Sequence, residues 1–156
     1  MSADHAGLPS IHASAVLVGD RAVLIRGRSG SGKSRLAFEL ILAGRAGQIP
    51  PATLIGDDRV HLQAVAQGLM VRPAAAIAGL IEIRGVGLRR CAFAAEALVG
   101  LVVDLEAEDA ERLPQPAALR TVIAGVELNR IPVAADYSPL LMVVAALTTR
   151  GCSEGS

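Results

Sequence analysis

Apolar residues along this chain fall into short runs separated by turn formers, with one stretch of helical spacing early and one late. Ile11–Val18 is apolar and ends at Gly19-Asp20, and Ala22–Ile25 is a second short run. That pattern predicts two strands joined by a tight turn. Between Arg35 and Ala43 the apolar positions Leu36, Ala37, Leu40 and Ile41 repeat as one face of a helix, and Gly44 supplies the stop. Gln48-Ile49-Pro50-Pro51 is loop, because proline breaks both kinds of ladder. Thr53–Ile55 reads as a strand, Gly56-Asp57-Asp58 as a turn, and Val60–Val65 as a further strand. Pro73–Ala78 carries no decisive pattern. Leu80–Arg84 alternates, which puts Glu82 and Arg84 on one face, until Gly85 and Gly87 break the run. Leu98–Leu105 is a buried strand with Asp104 near its end, followed by an acidic, proline-punctuated surface loop over Glu106–Pro116. Val122–Val126 and Leu128–Val133 are short strands, and Leu140–Leu147 is a final apolar helix. Strands dominate, and regular strand–helix alternation is missing after the first helix. That argues against an all-parallel doubly wound sheet.

Composition bounds this picture. The 156 residues suit one domain, read as 1–150 with a flexible tail over 151–156. Apolar residues are 52% and aromatics only 2%, so the core is built from Leu, Val, Ile and Ala. Fifteen basic and fifteen acidic residues balance, and nothing global points to nucleic acid or a membrane as partner. Cys91 and Cys152 are expected as free thiols, too few and too far apart for a zinc site. Met1–Gly7 lacks a signal-peptide pattern, and no apolar run reaches the ~18–20 residues of a membrane helix. The expectation is a cytoplasmic protein.

Chemistry enters between the second strand and the first helix. Gly27-Arg28-Ser29-Gly30-Ser31-Gly32-Lys33-Ser34 fits G-x-x-x-x-G-K-[ST] in the context that motif needs, after a strand and before a helix. Glycines let the backbone wrap inward, so that successive N–H groups and the helix N-terminus face the phosphates of a nucleoside triphosphate. Lys33 would reach the β- and γ-phosphates, and the Ser34 hydroxyl would bind Mg²⁺. Asp57 and Asp58 end a strand. A Gly-Asp-Asp turn is commonplace by itself. After a phosphate loop, two adjacent carboxylates can divide the work, one near the metal and one accepting a proton. Glu82 with Arg84, and His12 inside an apolar segment, stay undecided on chemistry alone. A surface ion pair and a satisfied strand histidine are the ordinary alternatives.

Taken in order, Ser10-Ile11-His12, the phosphate loop, Asp57-Asp58-Arg59-Val60 and Ile81-Glu82-Ile83-Arg84-Gly85-Val86-Gly87 resemble the C-terminal catalytic domain of HPr kinase/phosphorylase. The resemblance spans roughly residues 8 to 147, and the Ile-Glu-Ile-Arg-Gly-Val-Gly segment is its most specific part. It implies an α/β fold: a mixed-sheet P-loop domain resembling the phosphoenolpyruvate carboxykinase nucleotide-binding core. It implies an ATP- and Mg²⁺-dependent serine kinase whose partner is an HPr-like phosphocarrier protein of a phosphotransferase system. By resemblance Lys33 and Ser34 serve ATP and Mg²⁺, and Glu82 is a second Mg²⁺ ligand. Asp58 takes the serine proton, with a swap for Asp57 left open. His12 lies close to this pair and takes part in catalysis, Arg84 shapes the loop where nucleotide and carrier meet, and the protein is a homo-oligomer, hexameric in the family.

The chain also departs from the family pattern. The sequence starts almost directly at the catalytic part, so the expectation is a short form of the family, without the N-terminal domain and its regulation. Arg35 stands where Glu is usual. The stretch Ala92–Gly100 has no arginine where the family carries an active-site one, leaving Arg89 or Arg90 as conceivable substitutes. Pro132-Val133 is followed by Ala134-Ala135-Asp136-Tyr137 in place of cations tied to phosphorolysis. Losing cations that hold inorganic phosphate predicts weakened or absent phosphorylase activity. Two other readings compete: a P-loop kinase of a small molecule, and a nucleotide-sensing module that transfers nothing.

Overall fold

The computed structural model describes residues 10–152. The tail expected at 151–156 therefore falls, beyond Cys152, outside the described residues, as does Met1–Gly7. Strands β1 (Ser10–Ile11), β2 (Ala13–Val18) and β3 (Arg21–Arg26) lead into helix α1 (Lys33–Arg45). Then come β4 (Ala52–Gly56), β5 (Val60–Val65), β6 (Gly68–Pro73), β7 (Leu80–Ile83), β8 (Gly87–Arg90) and β9 (Ala97–Asp104). Strands β10 (Arg120–Ile123) and β11 (Val126–Pro132) precede helix α2 (Pro139–Thr148).

Strand β9 organises the main sheet. Its N-terminal part pairs antiparallel with β6 through Leu98 and Ala97. On the same edge its C-terminal part pairs parallel with β11 over Leu101–Asp104, while β3 runs parallel along the other edge. Strands β2 and β4 continue outward from β3 in antiparallel register, and β5 and β1 continue from β6. The sheet is therefore mixed, as the missing strand–helix alternation predicts.

Alternating apolar side chains bury both faces of it. Val16, Val23, Ile25, Leu101 and Val103 pack with Leu36, Leu40 and Ile41 of α1 and with Val143 of α2. Ala13, Ala15, Leu24 and Val102 point the other way, against Val60, Leu62, Leu69 and Val71 of the curled β5–β6 hairpin. Small residues at Ala13 and Ala15 allow that close cover. No helix among the described residues is long and apolar enough to cross a membrane. Cys91 and Cys152 are free thiols, and burial pushes the Cys91 thiol up.

Several elements differ from the sequence expectation. The run Ile11–Val18 is two strands, broken at His12, because Ala13 leaves β5 and donates its N–H to the carbonyl of Asp58. Gly85 and Gly87 do not end a structure; with positive φ they turn β7 into β8. The run Val122–Val126 is split by a turn at Ala124-Gly125. Strand β6 was not anticipated, and Pro73–Ala78 contains a 3-10 turn at Ala75–Ile77. The acidic loop after β9 is tied down by charge. Asp104 accepts from Arg26 Nε at 2.7 Å, Arg26 Nη2 at 2.8 Å and Arg130 Nε at 2.6 Å. Arg130 also donates to Asp109 at 2.8 Å and to the Ala118 carbonyl at 2.9 Å.

Burial pushes the Asp104 carboxyl up, but the guanidinium groups of Arg26 and Arg130 outweigh it and hold the group below the ordinary carboxylate range. Its stabilisation is thus complete above that range and is lost as pH falls through the lowered value. Asp104 is 15% exposed, so Asp104→Asn removes the carboxylate that both Arg26 contacts and the Arg130 Nε share, while Arg130 keeps Asp109, at a cost of about 2 kcal/mol. Urea unfolding at neutral pH should show this loss, and the gap to wild type should narrow in strong acid. A gap that stays constant with pH would refute the ion-pair account.

Candidate active site

Strands β3, β9 and β11 run parallel, so their C-terminal ends lie on one edge of the sheet. The glycine-rich segment 27–32 leaves β3 there and enters α1. Three contacts fasten its start to the end of β9. Arg26 meets Asp104, the Leu105 N–H donates to the Arg26 carbonyl at 2.9 Å, and Arg28 Nε donates to Glu106 at 2.6 Å. Gly27 is needed for room, since a Cβ there would collide with the Ser31 hydroxyl and crowd Leu105. Gly32 is needed for handedness: it stands at the N-cap of α1 with φ 105° and open space around it. No side chain among the described residues caps that helix, so its first-turn N–H groups are left without a side-chain acceptor. Lys33 is buried, and its ammonium donates to the carbonyls of Gly27 at 2.8 Å and Arg28 at 3.0 Å. Its charge is thereby held against the loop that a phosphate would enter.

The loop forms one wall of a cleft of about 750 Å³. Ser29, Gly30, Ser31, Gly32, Lys33 and Ser34 line it, as do Asp57, Asp58, Glu82 and Arg84. Asp57 and Asp58 differ sharply. Asp57 is only 4% exposed. Its carboxylate accepts from Ser14 Oγ at 2.7 Å, from Ser34 Oγ at 2.7 and 2.8 Å, and from the Glu82 N–H at 3.0 Å. No ion pair among the described residues reaches it. The side chain of Asp58 is 64% exposed beside the cleft, and its φ of 69° is unusual for a residue with a side chain. Two backbone contacts hold it there: its N–H donates to Ser14 Oγ at 3.1 Å and its carbonyl accepts from Ala13.

A buried carboxylate stabilised only by neutral donors still lacks a counter-charge. Ser34 and Asp57 are hard oxygen donors already in contact, and Glu82, whose N–H donates to Asp57, lines the same cleft. That donor set fits Mg²⁺, which takes few protein ligands and completes its shell with water and phosphate oxygens. It is no self-sufficient cage, since no group of three His, Cys, Asp or Glu side chains converges among the described residues.

His12 stands outside the cleft lining, at the break between β1 and β2. Its Nδ1 is 3.9 Å from Asp58 Oδ1 and its Nε2 lies 3.1 Å from Arg59 Nη2. Arg35 lines the cleft and lies 3.5 Å from Glu39. Arg89 and Arg90 are exposed on β8, away from the cleft lining. Sequence reasoning missed Ser14, which is fully buried, donates to the Asp57 carboxylate and accepts from the Asp58 N–H. The available signal was a hydroxyl at an inward position of an apolar strand.

A family model described as the HPr Serine kinase C-terminal domain matches residues 5–150. The HPr kinase/phosphorylase of Enterococcus faecalis is 36% identical over 161 residues, covering 94% of this chain and 49% of that protein. That of Leptothrix cholodnii is 31% identical over 141 residues, covering 82% and 41%. The chain thus spans about half, or less, of the length of the curated relatives it matches. Among solved structures, the Hpr(Ser) kinase/phosphatase of Coxiella burnetii superposes with a TM-score of 0.69 at 22% identity, over 88% of this chain and 87% of that one.

Ser14→Ala should destabilise the protein by about 2 kcal/mol, because it strips one donor from the buried Asp57 and leaves the Asp58 N–H unpaired. Urea denaturation is the check. An unchanged midpoint would mean that water replaces the hydroxyl at no cost.

Proposed function

The chain belongs to the HPr Serine kinase C-terminal domain family, and from that premise we propose that it is an ATP- and Mg²⁺-dependent serine kinase acting on an HPr-like phosphocarrier protein. The observation that carries this reading is the split environment of two adjacent carboxylates on one cleft: Asp57 buried against Ser34, Asp58 exposed beside it. Segment 27–34 acts as the P-loop, with the nucleotide-binding core of phosphoenolpyruvate carboxykinase as its structural parallel. The first-turn N–H groups of α1 and the Lys33 ammonium bind the phosphates and stabilise the charge that spreads over the group in transit. Lys33 exchanges its loop carbonyls for phosphate oxygens. Ser34 and Asp57, with Glu82, would hold Mg²⁺, which would supply counter-charge to the bound phosphates. Asp58 accepts the proton of the incoming serine, and Arg84 borders the mouth where nucleotide and carrier meet.

The return reaction is weak in this reading. The loop after β11 leaves the same sheet edge as the P-loop, yet carries Ala134, Ala135, Asp136 and Tyr137, and no cation to hold inorganic phosphate. A cytoplasmic homo-oligomer, hexameric as the resemblance implies, accompanies the proposal. A second reading, a nucleotide-sensing module without transfer, draws its support from Arg89 and Arg90. Neither lines the cleft, so neither replaces the arginine that the family pattern leads one to expect.

Incubation of HPr-like carriers with the protein, ATP and Mg²⁺ should add one phosphoryl mass, stable as phosphoserine. Lys33→Ala should abolish it. Asp58→Asn should slow turnover by roughly 10²- to 10⁴-fold while nucleotide still binds. No added mass on any carrier, despite ATP binding, would favour the sensing module. Ready release of phosphate from the phosphorylated carrier would overturn the weak return reaction.

A further inference from the structure

Arg59 follows the two carboxylates and has no role in the reading above. It is half-buried, and both ends of its guanidinium are engaged: Nη1 donates to Ser10 Oγ at 3.0 Å, and Nη2 lies 3.1 Å from His12 Nε2. A guanidinium carries N–H donors only and does not lose its proton in a protein. The contact with His12 is therefore favourable only when Nε2 accepts. A neutral imidazole that accepts at Nε2 must carry its proton on Nδ1. Nδ1 is the ring atom that faces Asp58 Oδ1, at 3.9 Å.

We propose that Arg59 is a positioning residue that fixes His12 as its Nδ1–H tautomer and so aims a hydrogen-bond donor at the Asp58 carboxylate.

The architecture favours such a device. Ser10 is registered with His61, and Ile11 with Val60, on the strand that Arg59 leads into, so Arg59 and β1 move as one piece. Anchored on Ser10, the guanidinium cannot follow the His12 ring, and the ring must orient to it. His12 needs that help, since its side chain is 65% exposed and solvent alone would leave ring and tautomer free. A distance of 3.9 Å is too long for a hydrogen bond. It is short enough to close by a small ring movement or through one water when the site is engaged. An Nδ1–H donor there keeps the carboxylate turned toward the cleft, with its other oxygen free for the serine proton. With the opposite tautomer, a lone pair would face the carboxylate and push it away.

The consequence for turnover rests on the kinase reading, whereas the tautomer does not, and the experiment separates them. Long-range ¹H–¹⁵N correlation spectra of ¹⁵N-histidine-labelled protein, at mildly alkaline pH where imidazole is neutral, report which ring nitrogen is protonated. The His12 signals are identified by their loss in His12→Gln. Wild type should show a protonated Nδ1 and a bare Nε2. Arg59→Lys, which keeps a donor-only group, should preserve that pattern. Arg59→Gln, which can also accept, should shift His12 toward the Nε2–H form. In carrier phosphorylation, Arg59→Gln should lower kcat on the order of tenfold with KM for ATP unchanged, and Arg59→Lys should recover most of it. A protonated Nε2 in wild type, or a tautomer indifferent to Arg59→Gln, overturns the proposal. A shifted tautomer with undiminished turnover overturns the part that reaches Asp58. An expected tautomer in a protein that phosphorylates no carrier upholds the positioning role and overturns the kinase reading.

Discussion

The Asp57 carboxylate is the point on which the site depends. It collects a hydroxyl from β2, a hydroxyl from the first turn of α1 and a backbone N–H from β7, while itself following β4. Four elements that are distant in sequence are brought to one pair of oxygens. Each contact is a charge-assisted hydrogen bond of the stronger kind, and none involves a cation. Moving β2, α1 or β7 away would strip a donor from a buried charge. The position of the loop–helix junction relative to Glu82 is thus set by the chemistry of one side chain as much as by apolar packing.

Around that point the chain crosses twice, at one place, between the two ends of the main sheet. The break at His12 takes it from pairing with β5 to pairing with β3 and β4, and Gly56–Arg59 takes it from β4 to β5. Asp58 sits at this crossing in a left-handed conformation, secured by Ala13 and Ser14. A segment that served only as a hairpin turn would place both aspartates in solvent. The crossing buries one and presents the other.

What the sequence made legible was local. The helix face of α1 appears in its spacing, and the loop in its motif, because both are encoded within a few neighbouring residues. The carboxylate pair was visible as a pair, but the contrast in burial between its members was not, since the Ser14 contact spans 43 positions. The clamp of Arg26 and Arg130 on Asp104 was hidden for the same reason: it joins residues 78 and 26 positions apart. Gly85 and Gly87 show in sequence only as an interruption of the strand pattern, since the short exposed β8 that follows them has no buried face to mark it as a partner. Strand β6 went unread because its apolar residues Leu69, Met70 and Val71 are contiguous, and a contiguous apolar run has no period.

The glycines of the phosphate loop hide two unrelated demands behind one letter. At Gly27 the backbone is ordinary and the space is full, so what is required is smallness. At Gly32 the space is open and φ is positive, so what is required is a mirror-image conformation. Achirality serves the second position and is incidental to the first. A residue of inverted chirality would therefore be at home at 32 and as unwelcome as any other at 27, which makes the loop part steric gauge and part stereochemical switch.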